Sequence, residues 1–457
     1  MFLLNKKLKY SDAIFYLLML STIYILIYNI FHYSPSLGYD AEAHFLYVDH
    51  IARYLPYDFN IPSASETREF FNPPLAYFFP SIVQVFCRNI IKSSNYLSEC
   101  QPIYANFTQI FQSFLYLLTI FINIYSLKKF TKQSNFLNSS YFILISLLAV
   151  NYRTISMIRG EPYILFFLSL FILWILKLDN SNYEFNYKNV LALGFIIGCL
   201  ALSRQWAFLL LLPLIVLLFS KRNKFKRLYF KTWSLSALIG AGISSWFYFN
   251  LYRNNGSFTA FNMESTKFSI NNQPLNFYIP NLDQLTYIFT KPIRPYLDNQ
   301  YISILYTDLW GDYWGYFSFT SRFLDVGRNQ ALIGDYLSNA VSLSIVTTII
   351  ILTYYVITFK KNKKNLIIQY INYGVLFSFF GFLIFAISYP VSTGDTIKST
   401  YIIQMFHLIV FMASIEFEKL KYSDLKKYNF LLTILFVIYI YNFQTFLSHF
   451  PINFYSF

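Results

Sequence analysis

Apolar runs near twenty residues recur from one end of this 457-residue chain to the other. Each is long enough to cross about 30 Å of hydrocarbon as a helix. In hydrocarbon, backbone N–H and C=O groups must be satisfied within the protein, so a chain of such runs folds as packed spanning helices. The expected fold class is an all-α polytopic membrane protein. Only 13% of the residues are charged, against about a quarter in a soluble chain.

Spans are expected at 11–31, 104–126, 140–157, 161–178, 189–203, 206–220, 232–252, 339–359, 366–389, 399–415 and 429–447, about eleven in all. The net charge of +14 does not point to nucleic acid. The cations lie in short clusters between apolar runs, as topology signals do. These are Lys6, Lys7 and Lys9, then "LKKFTK" (127–132), "KRNKFKR" (221–227), "KKNKK" (360–364) and "EKLKYSDLKK" (418–427). All five are cytoplasmic if "PPLAYFFPSIVQVF" (73–86) does not cross. That segment, with its prolines, and "AEAHFLYVDHIARYL" (41–55) are therefore read as helices lying in the outer interface. The N-terminal apolar run is too long for a cleaved signal and reads as an uncleaved first helix.

This topology puts the N-terminus inside and the C-terminus outside. It divides the chain into an N-terminal transmembrane module (1–252) with a first outer loop (32–103), a large extracytoplasmic loop (253–338) and C-terminal helices (339–457). Cys199 lies within an apolar run and reads as a packing residue. Cys87 and Cys100 could pair if both face an oxidising compartment.

The outer face collects the chemistry. Asp40 and Glu42 stand in "GYDAEAHF", and Glu66 and Glu69 follow in the same loop. A carboxylate just past a helix end can take a proton from an alcohol nucleophile. Asp40 could equally cap the next helix. If Asp40 is itself helical, Glu42 points about 200° away from it. Both can face one substrate only if Asp40 is an extended cap. Arg159, Arg204 and Lys398 sit at outward ends of three separate apolar runs, where the positive-inside rule does not need them. They suit a lipid phosphate, or they snorkel. Glu161 could pair Arg159 or read a sugar hydroxyl. "YTDLWGDYWGYFSF" (306–319), with Asp312 and Trp314, suits sugar stacking, or forms an aromatic core.

Together these stretches resemble the GT-C superfamily of integral membrane glycosyltransferases. The resemblance is to bacterial relatives of protein O-mannosyltransferases and aminoarabinose transferases. It rests on "GYDAEAHF" (38–45), "NPPLAYFF" (72–79), "RGEPYILFF" (159–167), "LSRQWAF" (202–208), "LWGDYWGYF" (309–317) and "GDTIKSTYIIQ" (394–404). It implies juxtamembrane helices in the first outer loop, with an acid there, Asp40 or Glu42, as base. It implies inverting transfer from a polyprenyl-phosphate-linked sugar to a lipid, glycan or protein acceptor at the outer face of the cytoplasmic membrane. No cofactor is expected. No His or Asp cluster marks a metal site, and that superfamily is mixed on metal use. The competing readings are a flippase or transporter of lipid-linked glycans, a glycan polymerase or ligase, and a structural membrane protein.

Overall fold

A computed structural model describes residues 10–35, 38–91, 96–131, 139–220, 226–294, 296–315, 317 and 326–448. The basic residues Lys6, Lys7 and Lys9, most of the 221–227 cluster, and residues 132, 316, 318 and 319 of the stretches above lie outside them. The described residues form helices and no strand. In chain order these are α1 (Tyr10–His32), α2 (Ala41–Tyr54), α3 (Leu75–Ile91), α4 (Tyr96–Thr131), α5 (Ser139–Ser146), α6 (Ala149–Ser156), α7 (Glu161–Asn180), α8 (Tyr187–Ser203), α9 (Leu212–Phe219), α10 (Lys226–Asn255), α11 (Leu275–Tyr278), α12 (Leu282–Thr290), α13 (Tyr301–Trp310), α14 (Val326–Asn362), α15 (Leu366–Ser388), α16 (Ile403–Ser423) and α17 (Leu425–Tyr441). Short 3₁₀ turns at Gln205–Leu210, Ser399–Ile402 and Asn442–Phe446 adjoin α9, α16 and α17.

Among the described residues, seven helices are long and apolar enough to cross a membrane: Tyr10–His32, Glu99–Thr131, Glu161–Asn180, Asp335–Asn362, Leu366–Ser388, Ser399–Ser423 and Leu425–Phe446. The chain is thus an α-helical membrane protein, with seven spans by length where eleven were expected. The other four expected spans take different forms. Residues 187–203 make a shorter, 17-residue apolar helix, and 232–252 lie within the 30-residue α10. The run 206–220 is a 3₁₀ turn followed by α9. Pro213 explains this, since it lacks the N–H that would bond back to Leu209 and its ring crowds that carbonyl.

The run 140–157 is split at Leu147–Leu148 into α5 and a wholly buried α6. The carbonyls freed at the break are taken up locally. Asn151 donates to the Ile145 carbonyl at 3.0 Å and Tyr152 to that of Ser146 at 3.2 Å. Such breaks persist at membrane depth only where protein satisfies them.

α8 and α10 pack backbone to side chain. A methyl group added at Gly194 would meet Ile239 Cβ at 2.5 Å, and one at Gly198 would meet Ile243 Cβ at 2.7 Å. This is a small-xxx-small contact, which lets helices approach where lipid supplies no hydrophobic drive.

α2 and α3 form the expected pair of helices in the first loop. The rings of Tyr47 and Tyr77 stack at 3.9 Å. Arg88 donates to the carbonyls of Ala52 and Leu55 at 2.6 Å each, closing the C-terminal end of α2. The Cys87–Cys100 disulfide joins α3 to α4. At 17 residues α3 is about 25 Å long, the same length as α8.

The two ends of the bundle carry different charges. At one end, Lys421 meets Asp12 and Glu418 at 3.7 Å each, and Glu418 accepts from Ser140 at 2.8 Å. There too Lys361 and Lys419 hold Glu416 at 2.7 and 2.6 Å. The opposite ends of α1 and α16 meet at Asp40 and Lys398.

Candidate functional site

Asp40 stands at the entrance to α2 in the left-handed region, φ 64°. Its side chain makes no capping hydrogen bond, which removes the helix-cap account of it. Instead each carboxylate oxygen holds a cation. Oδ2 lies 3.0 Å from Lys398 Nζ, and Oδ1 lies 2.9 Å from Arg68 Nη2. Burial alone would push this carboxyl up. Lys398 and Arg159 more than offset it and hold the group well below the usual carboxylate range.

Lys398 is nearly buried. Its ammonium lies 4.2 Å from the centre of the Tyr39 ring and 5.4 Å from those of Trp314 and Tyr401. Its backbone is fixed from behind: Asp308 accepts from the Ser399 N–H at 2.7 Å, and the Ser399 hydroxyl donates to the Leu305 carbonyl at 2.7 Å. Asp308 is itself paired with the buried Arg153 at 2.6 Å. Arg153 also donates to the Gly311 carbonyl at 2.8 Å and approaches Asp312 at 3.5 Å. The short α6 and the segment around α13 therefore set the position of Lys398.

Arg159 donates to the Tyr39 carbonyl at 2.9 Å and lies 4.5 Å over the Tyr39 ring. Burial, with Asp308, pushes the Tyr39 phenol up to about 12. Glu161 pairs with Arg204 rather than with Arg159, at 2.9 Å. Arg204 also donates to Asn72 Oδ1, and Asn72 donates to Glu69. Glu69 is buried, and burial together with the Asp40 charge raises its carboxyl. Gly160 permits this chain of contacts. A Cβ there would lie 2.1 Å from the Ser203 carbonyl oxygen and 2.8 Å from Arg204 Cγ.

Beside Arg204 opens a cavity of about 250 Å³, lined by Asn72, Trp206, Phe261, Phe385 and Tyr389. It has cationic and amide groups in its wall and aromatic rings around them. A second cavity of about 230 Å³, among Leu148, Ile302, Trp310 and Phe406, is apolar and holds none of these charges.

Among the described residues, three buried polar atoms here have no hydrogen-bond partner: Arg159 Nε, Glu161 Oε2 and His44 Nε2. The other ring nitrogen of His44 is 2.7 Å from the Tyr77 hydroxyl, and burial, then Arg159 and Arg204, hold this imidazole well below its ordinary value.

Of the residues singled out in the sequence, the fold gathers Asp40, Glu69, Arg159, Glu161, Arg204, Trp314 and Lys398. Asp312 adjoins the cluster, with its Oδ2 accepting from the Phe317 N–H at 2.7 Å. Two residues stand apart. Glu42 is exposed in the first turn of α2 and pairs with none of these cations. Glu66 pairs with His50 at 3.0 Å and accepts from Ser63.

Sequence reasoning passed over Arg68, Tyr39, Asn72, Tyr401 and Arg153. Arg153 had a readable signal, an arginine inside an apolar run, where charge is costly. Arg68 and Asn72 lie within the acidic loop that drew attention for its carboxylates. Among the described residues no three His, Cys, Asp or Glu side chains gather as a metal site would need. No family model, curated protein or solved structure matches the chain.

Proposed function

We propose that this chain is an inverting glycosyltransferase of the GT-C type, drawing on a polyprenyl-phosphate-linked sugar at the outer face of the cytoplasmic membrane. The observation that carries this reading is the meeting of Asp40 with Lys398 and Arg159, beside an aromatic cleft that has Arg204 in its wall. In the proposed reaction an acceptor hydroxyl oxygen attacks the anomeric carbon from the face opposite the phosphate. The carbon–oxygen bond to phosphate breaks, and its electron pair leaves with the phosphate. Asp40 takes the hydroxyl proton, a role worth roughly 10²–10⁴-fold. Lys398, Arg159 and Arg204 attract the charge that develops on the phosphate. Trp206, Phe385 and Tyr389 offer an apolar path for the prenyl chain. The acceptor is a lipid, glycan or protein hydroxyl.

The proposed topology keeps eleven crossings, with α2 and α3 in the outer interface. It is supported by the clusters at 360–364 and 418–427, which share the end of the bundle opposite Asp40. Single cysteines at positions 66 and 130 test it in intact cells. Labelling from outside is expected at 66 and not at 130, and the reverse would overturn it. For the activity, purified protein in detergent is expected to release polyprenyl phosphate from a labelled sugar donor when acceptor lipids are present. No release from any such donor, across a panel of sugars and an extract of envelope lipids, would sink the reading.

A second reading has one observation of its own. The broken span α5–α6 and the interrupted run 205–219 are features that transporters place around a mid-membrane site. A flippase would move a fluorescent lipid-linked glycan across proteoliposomes without releasing polyprenyl phosphate.

A further inference from the structure

Asp40 has a cation on each oxygen, and the two cations are held very differently. Lys398 is enclosed, its side chain 8% exposed, between three aromatic rings and with its backbone tied to Asp308. The Arg68 side chain is 57% exposed. Among the described residues its guanidinium has no partner other than Asp40. The backbone on both sides of it is anchored. Thr67 donates to the Ala43 carbonyl at 2.7 Å, and Glu69 is buried against Asn72. So the guanidinium can swing on its own stem while the loop stays in place.

We propose that Arg68 is an anion-binding residue of this site that caps Asp40 Oδ1 until a phosphate group draws it away. The proposal rests on the reading of Asp40 as the base. A carboxylate oxygen engaged by a guanidinium is poorly placed to take a proton from a hydroxyl. A phosphate ester offers the same guanidinium two parallel hydrogen bonds and at least one full charge. The ligand expected is an amphiphile with a phosphate head, entering beside Lys398. Its arrival does two things at once. It gains Arg68 as a phosphate ligand, and it leaves Asp40 Oδ1 open toward the acceptor. The base is thereby exposed only when a donor phosphate is present.

The test is a double-mutant cycle read by binding alone, so it does not depend on glycosyl transfer. The probe is undecaprenyl phosphate, titrated into purified protein in detergent. Asp40→Asn removes the group that competes with the probe for Arg68. With Arg68 present, this substitution is expected to tighten probe binding by about tenfold. In an Arg68→Gln background it is expected to tighten binding by less than about threefold, since the general gain from removing one negative charge is all that remains. A cycle isolates the pairwise part of such effects. An equal gain in both backgrounds would overturn the proposal, because Arg68 would then not pass from Asp40 to the phosphate. Arg68→Lys, which keeps the charge but loses the planar fork, is expected to show an intermediate coupling. A coupling no larger in wild type than in Arg68→Lys would also count against it. If the cycle couples but no donor is ever turned over, the cap stands and the glycosyltransferase reading falls. If donor is turned over but the cycle does not couple, the reverse holds.

Discussion

At one end of α16 lie Asp40, Lys398 and their neighbours, and at the other lie Glu416, Glu418 and Lys421. The helix has 21 residues, so the two clusters stand about 30 Å apart. Both are rich in ion pairs, yet they are assembled on different plans. The far cluster draws on the ends of adjacent helices, and two of its pairs are three residues apart on α16 itself. Among the described residues, none of the side-chain atoms of Glu416, Glu418 or Lys421 is left buried without a partner. The Asp40 cluster draws on separate segments: the α1–α2 connection, the 55–74 loop, the starts of α7 and of the turn after α8, and the approach to α16. Among the described residues it leaves Arg159 Nε, Glu161 Oε2 and His44 Nε2 without a hydrogen-bond partner. Unsatisfied buried polar atoms cost about 1–3 kcal/mol each. The far cluster is thus closed among its own residues, whereas the Asp40 cluster keeps buried polar atoms that an incoming group could satisfy.

The largest expected effect sits at the Asp40 end. Asp40→Asn keeps size and much of the hydrogen bonding but removes basicity. Donor turnover should fall roughly 10²–10⁴-fold, while the protein still inserts and binds undecaprenyl phosphate. Full turnover by this variant would erase the contrast between the ends. Next comes Arg204→Ala, which strands the fully buried Glu161. Breaking one side of a buried pair costs about 3–5 kcal/mol. The thermal midpoint in detergent should drop clearly, and the donor KM should rise. If KM stays put, Arg204 is structural and the aromatic cleft is not a donor site.

At the far end the effects should be smaller and confined to stability. Glu418→Gln removes the charge opposite Lys421 and weakens the bond from Ser140. A loss of about 1–3 kcal/mol is expected, read as a lower melting midpoint with donor KM unchanged. A changed KM would mean that the far cluster communicates with the site. The smallest effect belongs to Lys361→Ala. That lysine is 64% exposed, and exposed pairs contribute about 0–1 kcal/mol.

Much of this fold was legible. Run length set the helical membrane class, and the helices expected over 41–55 and 73–86 form as α2 and α3. The breaks at 147–148 and 205–211 were harder to read. Pro213 marks the second, but the first depends on Asn151 and Tyr152 reaching back to carbonyls, a contact that hydropathy does not encode. For the site, Asp40, Lys398, Arg159 and Arg204 could be picked out because each is a charge where topology needs none. Their pairing could not. The proximity of Arg159 and Glu161 in sequence suggested a pair, yet Glu161 reaches Arg204, because Gly160 lets the Ser203 carbonyl approach so closely. Arg68 was masked by its neighbours, since one cation among acids looks like local neutralisation until the fold carries it to Asp40. The acids of 306–319 looked free to bind a sugar. Asp308 and Asp312 instead meet Arg153, which is 155 or more residues away in sequence.

The disulfide between Cys87 and Cys100 has a use beyond holding α3 against α4. Such bonds form where thiols are oxidised and are rare where they are kept reduced. The state of this pair is therefore a record of the molecule's history. A chain with the bond closed has had its first loop delivered to an oxidising compartment. A chain with both thiols free has not, or was made where delivery failed. With Cys199 buried in α8, a thiol-reactive mass tag applied after denaturation adds one increment to delivered chains and three to the others. A single gel lane then counts correctly assembled protein before any activity is measured.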